Sequence, residues 1–231
     1  GDKIFTDVTI SNNNGHGVSG SGSVTLSRVT VRENDQEGFT GYTNTFSADT
    51  SSIVANGNGG MSHFEDVDVT LNSCRVDSNS ASSYGGGIDG RGSLTLNNTQ
   101  VKGNSGSSGG GIDYTGTIEL NNTNVLNNSA SNIGGGIYLN GTGTFTNSNL
   151  KWNSGGSSGG GLYVSGTATF ENSHADSNTT SSSGGGIWAD GTVNLNISSI
   201  YDNNSTNLAG GLYVIGELNA DSSLINQNTS G

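Results

Sequence analysis

The sequence predicts an all-β protein, a single-stranded, right-handed parallel β-helix (β-solenoid) of about ten coils with 21 to 25 residues each. Two repeated motifs and one alternation of polar and apolar residues predict this fold. The composition makes such a repeat necessary, because the 231 residues include 40 Gly and no Pro, and only 29% are hydrophobic. A chain of this kind cannot offset about 1–2 kcal/mol of backbone entropy per residue with an ordinary globular core.

The first motif is Gly-Gly-Gly followed by Ile or Leu, and it recurs every 24 or 25 residues from Tyr84 onward. In the last copy, Ala209-Gly210-Gly211 replaces the three glycines. The regular spacing indicates stacked repeats in which the apolar residues form one inward column. The column contains Ile88, Ile112, Ile137, Leu162, Ile187 and Leu212.

The second motif is an apolar residue, two variable residues and Asn, as in Val101-Lys102-Gly103-Asn104. Identical amides stacked one coil apart can hydrogen-bond along the axis, and Asn tolerates left-handed backbone at a sharp corner. We therefore expect a structural asparagine ladder whose members also form the left-handed corners. The ladder positions are Asn13, Asn34, Asn56, Asn79, Asn104, Asn128, Asn153, Asn178, Asn203 and Asn228.

Between the motifs, small or apolar residues occupy every second position, as in residues 191–196. This period is typical of strands with one buried face. Two further inward columns lie eight and three residues before each ladder Asn, from Phe5 to Ala220 and from Ile10 to Ile225. The chain forms one domain over residues 1–231, with less regular coils in 1–80 and regular 25-residue coils in 81–231. The right hand follows the general preference of parallel crossovers.

The two motifs resemble the GGA(I/L/V) and FxxN repeats of the polymorphic outer-membrane proteins and of similar autotransporter-type surface β-helix proteins. The resemblance covers residues 76–228 well, although Val, Leu, Ile or Ala replaces the aromatic residue of FxxN. It implies an extracellular or cell-surface protein that acts in adhesion, with glycans or surface proteins as partners.

The formal net charge of −12 argues against nucleic acid as a partner. No apolar run reaches the ~18 residues of a transmembrane helix, so we expect no membrane insertion. The apolar columns continue into the first and last coils, where exposed strand edges would template further pairing. We therefore expect a segment of a longer chain, or a fibre that self-associates end to end.

An outward column follows the glycine motif and contains the candidate binding residues. Aromatic rings at coil spacing offer a strip for sugar rings, although the same rings also stabilise neighbouring strands without any ligand. The two carboxylates could form a catalytic pair, but the sequence places no basic or nucleophilic residue beside them. We therefore assign no catalytic residue and expect a non-enzymatic structural or adhesive protein. The column reads Asp89, Asp113, Tyr138, Tyr163, Trp188 and Tyr213.

One alternative is a carbohydrate-active enzyme, since polysaccharide lyases and glycoside hydrolases share this architecture. Asn14-Gly15-His16-Gly17 resembles the Gly-His-Gly of polygalacturonases, but the paired Asp motifs and the Arg-Ile-Lys segment have no counterpart, so His16 is interpreted as a turn residue. A second alternative is an ice-binding protein that uses outward Thr and Ser columns, since regular Thr-x-Thr arrays order water. These columns include Thr117, Thr142, Thr167 and Thr192, and Thr95, Thr144 and Thr169.

No metal ligand set and no cofactor are expected, with one alternative. Glu65, Asp66 and Asp68 form an acidic group near Arg91 in the irregular coils. A solvated ion pair is the simpler interpretation of this group, and a weak Ca²⁺ site is the other.

Overall fold

The structure, a computed structural model, describes residues 1–41 and 44–231, and these residues form β-strands, turns and no helix. All strand pairs are parallel, and each strand pairs with its counterpart in the preceding and following coils. Two of the three sheets stack ten coil positions, which corresponds to about nine full turns. The predicted parallel β-solenoid of about ten coils is confirmed.

The strands belong to three sheets. The first contains Lys3–Thr6, Val18–Ser19, Val24–Ser27, Phe39–Thr40, Thr45–Asp49, Met61–Asn72, Ile88–Asn97, Ile112–Asn121, Ile137–Thr146, Leu162–Glu171, Ile187–Asn196 and Leu212–Asp221. The second contains Thr9–Ser11, Thr30–Arg32, Ser52–Val54, Arg75–Asp77, Gln100–Lys102, Asn124–Leu126, Asn149–Lys151, His174–Asp176, Ser199–Tyr201 and Leu224–Asn226. The third contains Ser105–Ser108, Ser129–Ile133, Ser154–Gly155, Thr179–Thr180, Asn204–Ser205 and Thr229–Ser230.

The inward columns predicted from the sequence form the core. Leu26 to Leu195 are buried in one column, and Val31 to Ile200 are buried in the other. Each such aliphatic side chain contributes roughly 1.5–3 kcal/mol through burial. The same columns become exposed in the last coil, where Ile225 is 45% exposed.

The asparagine ladder is confirmed along its whole length. The side-chain Nδ2 of each ladder Asn donates to Oδ1 of the next, with distances of 2.7 to 3.0 Å. In the middle of the ladder, Asn128 Nδ2 also donates to the Val101 carbonyl, and Asn128 Oδ1 accepts the backbone N–H of Asn104. Each amide thereby satisfies buried backbone groups that a corner would otherwise leave unpaired.

The expectation that the ladder Asn itself adopts the left-handed conformation is wrong. The positive φ lies one residue earlier, for example at Trp152 (57°) before Asn153 and at Asp202 (54°) before Asn203. The ladder Asn must point its amide into the core, so the residue before it adopts the left-handed conformation. For a residue such as Trp152 this conformation costs roughly 1–2 kcal/mol, which the ladder hydrogen bonds offset.

The glycine motif and the ladder depend on each other. A Cβ at Gly111, the third glycine of its motif, would lie 3.0 Å from the Asn128 side chain and 2.8 Å from the Gly136 carbonyl oxygen. Gly136 stands in the same relation to Asn153. The two motifs recur together because the asparagine amide packs into the space where the glycine has no side chain.

A second ladder, which the sequence analysis did not predict, runs along the corner between the first two sheets. Thr123 N donates to Ser148 Oγ at 3.0 Å, and this hydroxyl donates to the Leu120 carbonyl at 3.0 Å. Cys74 continues the column with its Sγ 3.5 Å from Ser51 N, and burial raises the pKa of this thiol. The column contains Ser51, Cys74, Thr99, Thr123, Ser148, Ser173, Ser198 and Ser223.

Replacing one ladder amide in the middle of the solenoid will measure the worth of the ladder. We expect Asn128→Ala to lower the free energy of unfolding by about 3 kcal/mol or more, because several buried groups lose their partners at about 1–3 kcal/mol each. Chemical denaturation followed by circular dichroism measures this loss. Asn124→Ala, which removes a half-buried amide that bonds only Asn149, is the matched control and should cost less than about 1 kcal/mol. Equal costs would contradict a special role of the ladder.

Candidate functional site

The predicted outward column lies on one face of the first sheet. Asp89, Asp113 and Tyr138 are direct partners in successive strands, and the three aromatic residues that follow continue the same line. The preceding residues, such as Ile137, are fully buried, whereas the column is half-exposed. The predicted register of this strand is confirmed. We call Tyr138, Tyr163, Trp188 and Tyr213 the aromatic stack.

The rings of the aromatic stack lie on one another. The centroids of Tyr138 and Tyr163 are 5.5 Å apart at 20°, those of Tyr163 and Trp188 are 4.3 Å apart at 6°, and those of Trp188 and Tyr213 are 6.2 Å apart at 17°. Rings this close and this parallel cover each other's faces, so the stack is not a strip of open faces. The stack ends at Tyr138 and at Tyr213, and the Tyr138 end is one coil from Asp113.

A cavity of about 260 Å³ opens at this end of the column. It is lined by His63, Phe64, Glu65, Tyr84, Asp89, Gly90, Arg91, Asp113 and Thr115. A second cavity, of about 140 Å³, adjoins it and shares His63 and Tyr84. The candidate site is therefore a pair of cavities at the head of the aromatic stack.

Two bulges in Met61–Asn72 create the cavity. The register of this strand against Ile88–Asn97 shifts twice, once on either side of Gly90. His63 and Asp66 have φ of 62° and 54°, which is left-handed backbone without glycine. Bulges of this kind redirect side chains and are frequent at functional sites.

Burial and mutual repulsion control the carboxyl pair in the cavity. Burial, together with the charge of Asp89, raises the pKa of Asp113 to about 7. Burial also raises the pKa of Asp89, against the opposing effects of a His63 backbone hydrogen bond and of His63 and Arg91 charge. Asp113 therefore exchanges a proton with solvent close to neutral pH.

The expectation that no basic or nucleophilic residue lies beside Asp89 and Asp113 is wrong. His63, Tyr84 and Arg91 line the same cavity. Alignment on the asparagine column could not place His63, because the bulges lengthen its strand to 12 residues where the regular strands have 10. Arg91 lies two residues after Asp89 in a regular strand, so the alternation of that strand already places both on one face.

The adjoining cavity contains a buried carboxylate. Glu37 is 3% exposed, its Oε1 accepts from Asn58 Nδ2 at 2.8 Å, and its Oε2 lies 2.6 Å from His16 Nδ1. Ser62 lines this cavity, and its buried Oγ has no hydrogen-bond partner among the residues that the structure describes. His16 lies in the turn before Val18–Ser19, as the sequence indicates, and it orients Glu37.

The acidic group of the irregular coils does not form a metal site in the described residues, and of its members only Glu65 lines the larger cavity. Glu65, Asp66 and Asp68 are exposed, and the described residues contain no group of three or more His, Cys, Asp or Glu side chains that could hold a metal. Within the described ranges, no ion pair within 4.0 Å joins them to Arg91. A weak Ca²⁺ site here stays a prediction.

The Thr and Ser columns face outward in register, as in Thr142, Thr167 and Thr192. Glu119 aligns with Thr144 and interrupts the neighbouring column, so a regular Thr-x-Thr lattice extends over only a few coils. Ice binding stays a prediction. Across residues 1–41 and 44–231, no helix is long and apolar enough to span a membrane.

Comparison with protein-family models, with curated proteins and with solved structures finds no match to this chain. The resemblance of its motifs to surface β-helix proteins therefore stays a prediction. The fold and the site define a parallel β-solenoid with a lateral pair of cavities at the head of an aromatic stack.

The raised pKa of Asp113 predicts a stability that depends on pH. The folded state holds this proton more tightly than the unfolded chain, so stability falls as pH rises from about 4 to about 7 and is constant above. A difference of about three pKa units corresponds to at most about 4 kcal/mol, and we expect about half of this because water screens a half-buried group. Asp113→Asn should remove this dependence and raise the thermal midpoint at alkaline pH.

Thermal unfolding between about pH 4 and pH 8 measures the effect. Asp202→Asn, at an exposed corner, is the control and should leave the pH profile of the native chain unchanged. A profile of Asp113→Asn parallel to that of the native chain would contradict the assignment.

Proposed function

We propose that the protein is a non-catalytic, extracellular β-solenoid of the cell surface that has a structural or adhesive role and binds glycans on its lateral face. The observation that carries the proposal is the cavity of about 260 Å³ that Tyr84, Asp89 and Asp113 line, one coil from the Tyr138 end of the aromatic stack. We also propose that the protein forms fibres by end-to-end association.

The cavity provides the groups that sugars need. Carboxylates of Asp89 and Asp113 accept hydrogen bonds from sugar hydroxyls, and Arg91 donates them. Its volume is close to the ~300 Å³ at the lower end of ligand pockets, which suits a single sugar ring. Neighbouring sugar rings of a bound polysaccharide can then pack against Tyr84, which is 57% exposed, and against Tyr138.

The location of the cavity on a rigid element supports recognition without a lid. The bulged strand is paired on both sides, with Phe39–Thr40 and Thr45–Asp49 on one side and Ile88–Asn97 on the other. A preformed site of this kind does not lose loop entropy on binding, which favours affinity for a flexible polysaccharide.

Variants of Tyr84 and Tyr138 test glycan binding. We expect Tyr84→Ala and Tyr138→Ala each to weaken binding by about tenfold or more, because one lost sugar–ring contact of ~1.4 kcal/mol has this effect. A glycan array identifies a ligand, and titration calorimetry then measures the affinity of each variant.

Trp152→Ala is the matched control for this experiment. Trp152 is 56% exposed at a corner of the second sheet and does not line the cavities, so its loss should leave affinity unchanged. Equal losses in all three variants, or no binding to any glycan, would overturn the proposal.

A carbohydrate-active enzyme is the second candidate, and the carboxyl pair favours it. Asp89 and Asp113 lie one coil apart, about 4.8 Å along the axis, close to the separation used by retaining glycosidases. Asp113, with its pKa near 7, is suited to act as general acid at neutral pH. Asp89 would then supply the ionised carboxylate of the pair.

Incubation with a panel of neutral and acidic polysaccharides decides between the two candidates. The adhesive proposal expects no release of reducing or unsaturated ends. Release that disappears in both Asp89→Asn and Asp113→Asn would establish the enzyme instead, whereas release that persists in both variants would come from a contaminant or from another site.

A further inference from the structure

We propose that the paired cavities select glycans whose sugars carry free, protonated amino groups. This inference rests on the proposed glycan binding and names the class of ligand. Three independent features of the site carry it: its charge, a buried unpaired hydroxyl beside a buried carboxylate, and its aromatic residues.

Acidic groups outnumber basic ones around the cavities. Glu65, Asp89 and Asp113 line the larger cavity with Arg91 and His63, and Glu37 lines the smaller one. The whole chain carries a formal charge of −12. Such a field attracts a cationic sugar chain and repels uronic acids and sulfated sugars.

A buried hydroxyl without a partner and a buried carboxylate lie together in the smaller cavity. Ser62 is 5% exposed, and its Oγ has no partner, while Glu37 Oε2 is close to His16 without a well-aligned hydrogen bond. A buried polar atom that stays unpaired is unfavourable, so a ligand that supplies a hydrogen bond here gains affinity. An ammonium group has three donors and no acceptor, so it matches this lining, whereas an N-acetyl group brings an acceptor and a methyl group.

The aromatic residues add a third preference for cations. Tyr84 lines both cavities, and Tyr138, at the end of the aromatic stack, is one coil from Asp113. The π electrons of such a ring attract a cation that lies over its face. A chain of unsubstituted amino sugars can therefore contact the stack end and the carboxylates at once.

The experiment compares a hexamer of β-1,4-linked glucosamine with the hexamer of N-acetylglucosamine. The two probes have the same ring and linkage and differ in the amine. Titration calorimetry of the full chain at neutral pH, in low and in physiological salt, should give at least about tenfold tighter binding of the glucosamine hexamer.

Two double variants locate the preference. Asp89→Asn with Asp113→Asn should reduce the preference for the amine to less than about twofold, because it weakens binding of the glucosamine hexamer much more than binding of the N-acetyl hexamer. Asp202→Asn with Asp221→Asn changes the net charge equally at exposed positions away from the cavities, and it should keep the preference.

Other outcomes overturn the inference. Equal binding of both hexamers, or a preference that survives Asp89→Asn with Asp113→Asn, would refute amine selection and leave glycan binding intact. Binding of oligolysine as tight as that of the glucosamine hexamer, and insensitive to Tyr84→Ala, would show simple charge attraction. Binding of neither hexamer nor of any other glycan would refute the proposed function itself.

Discussion

The hydrogen bond from each ladder amide to the next is the interaction on which the rest of the structure depends. The distance from Asn104 Nδ2 to Asn128 Oδ1 is 3.0 Å, and the same bond repeats in every coil. It fixes where each coil turns, and it requires glycine opposite the amide, as at Gly111. It also offsets the energetic cost of the left-handed backbone at neighbouring residues such as Trp152. Both sequence motifs therefore express a single packing requirement.

The ladders also explain how so polar a chain folds. Asn128 and Ser148 are fully buried, yet each donates and accepts hydrogen bonds along the axis. Buried polar groups that are satisfied in this way do not carry the penalty of unpaired ones. The apolar columns can then be narrow, because the corners of each coil are filled by hydrogen-bonded amides and hydroxyls.

Much of the fold could be predicted because equal coil lengths keep equal positions in register. The asparagine ladder, the inward columns and the outward line from Asp89 to Tyr213 all follow from spacing and alternation. The left-handed position could not be predicted, since the motif does not show which of two adjacent residues bends. The hydroxyl ladder was also missed, because small polar residues at a corner are equally compatible with simple filling.

The candidate site was predicted only in part. The sequence indicates the carboxyl pair and the aromatic column, but the cavity depends on two bulges around His63 and Asp66 that break the period. The orientation of the rings is likewise a matter of packing: stacking turns the faces of Tyr163 and Trp188 toward each other and leaves Tyr138 at the end. Side chains on an irregular segment are placed by local geometry, which a repeat pattern does not contain.

The constant coil length has a consequence for how such a protein can change over evolutionary time. Asn153 and Asn178 are 25 residues apart, so loss or duplication of residues 154–178 as a block joins matching ends and keeps every column continuous. Loss of a single residue there would move all later side chains to the opposite face of their strand. The regular coils can thus vary in number by whole units, and the aromatic stack lengthens or shortens with them. The bulged coils that hold His63 and Arg91 do not take part in this gain or loss of coils. The length of the solenoid and the chemistry of its cavities can therefore evolve independently.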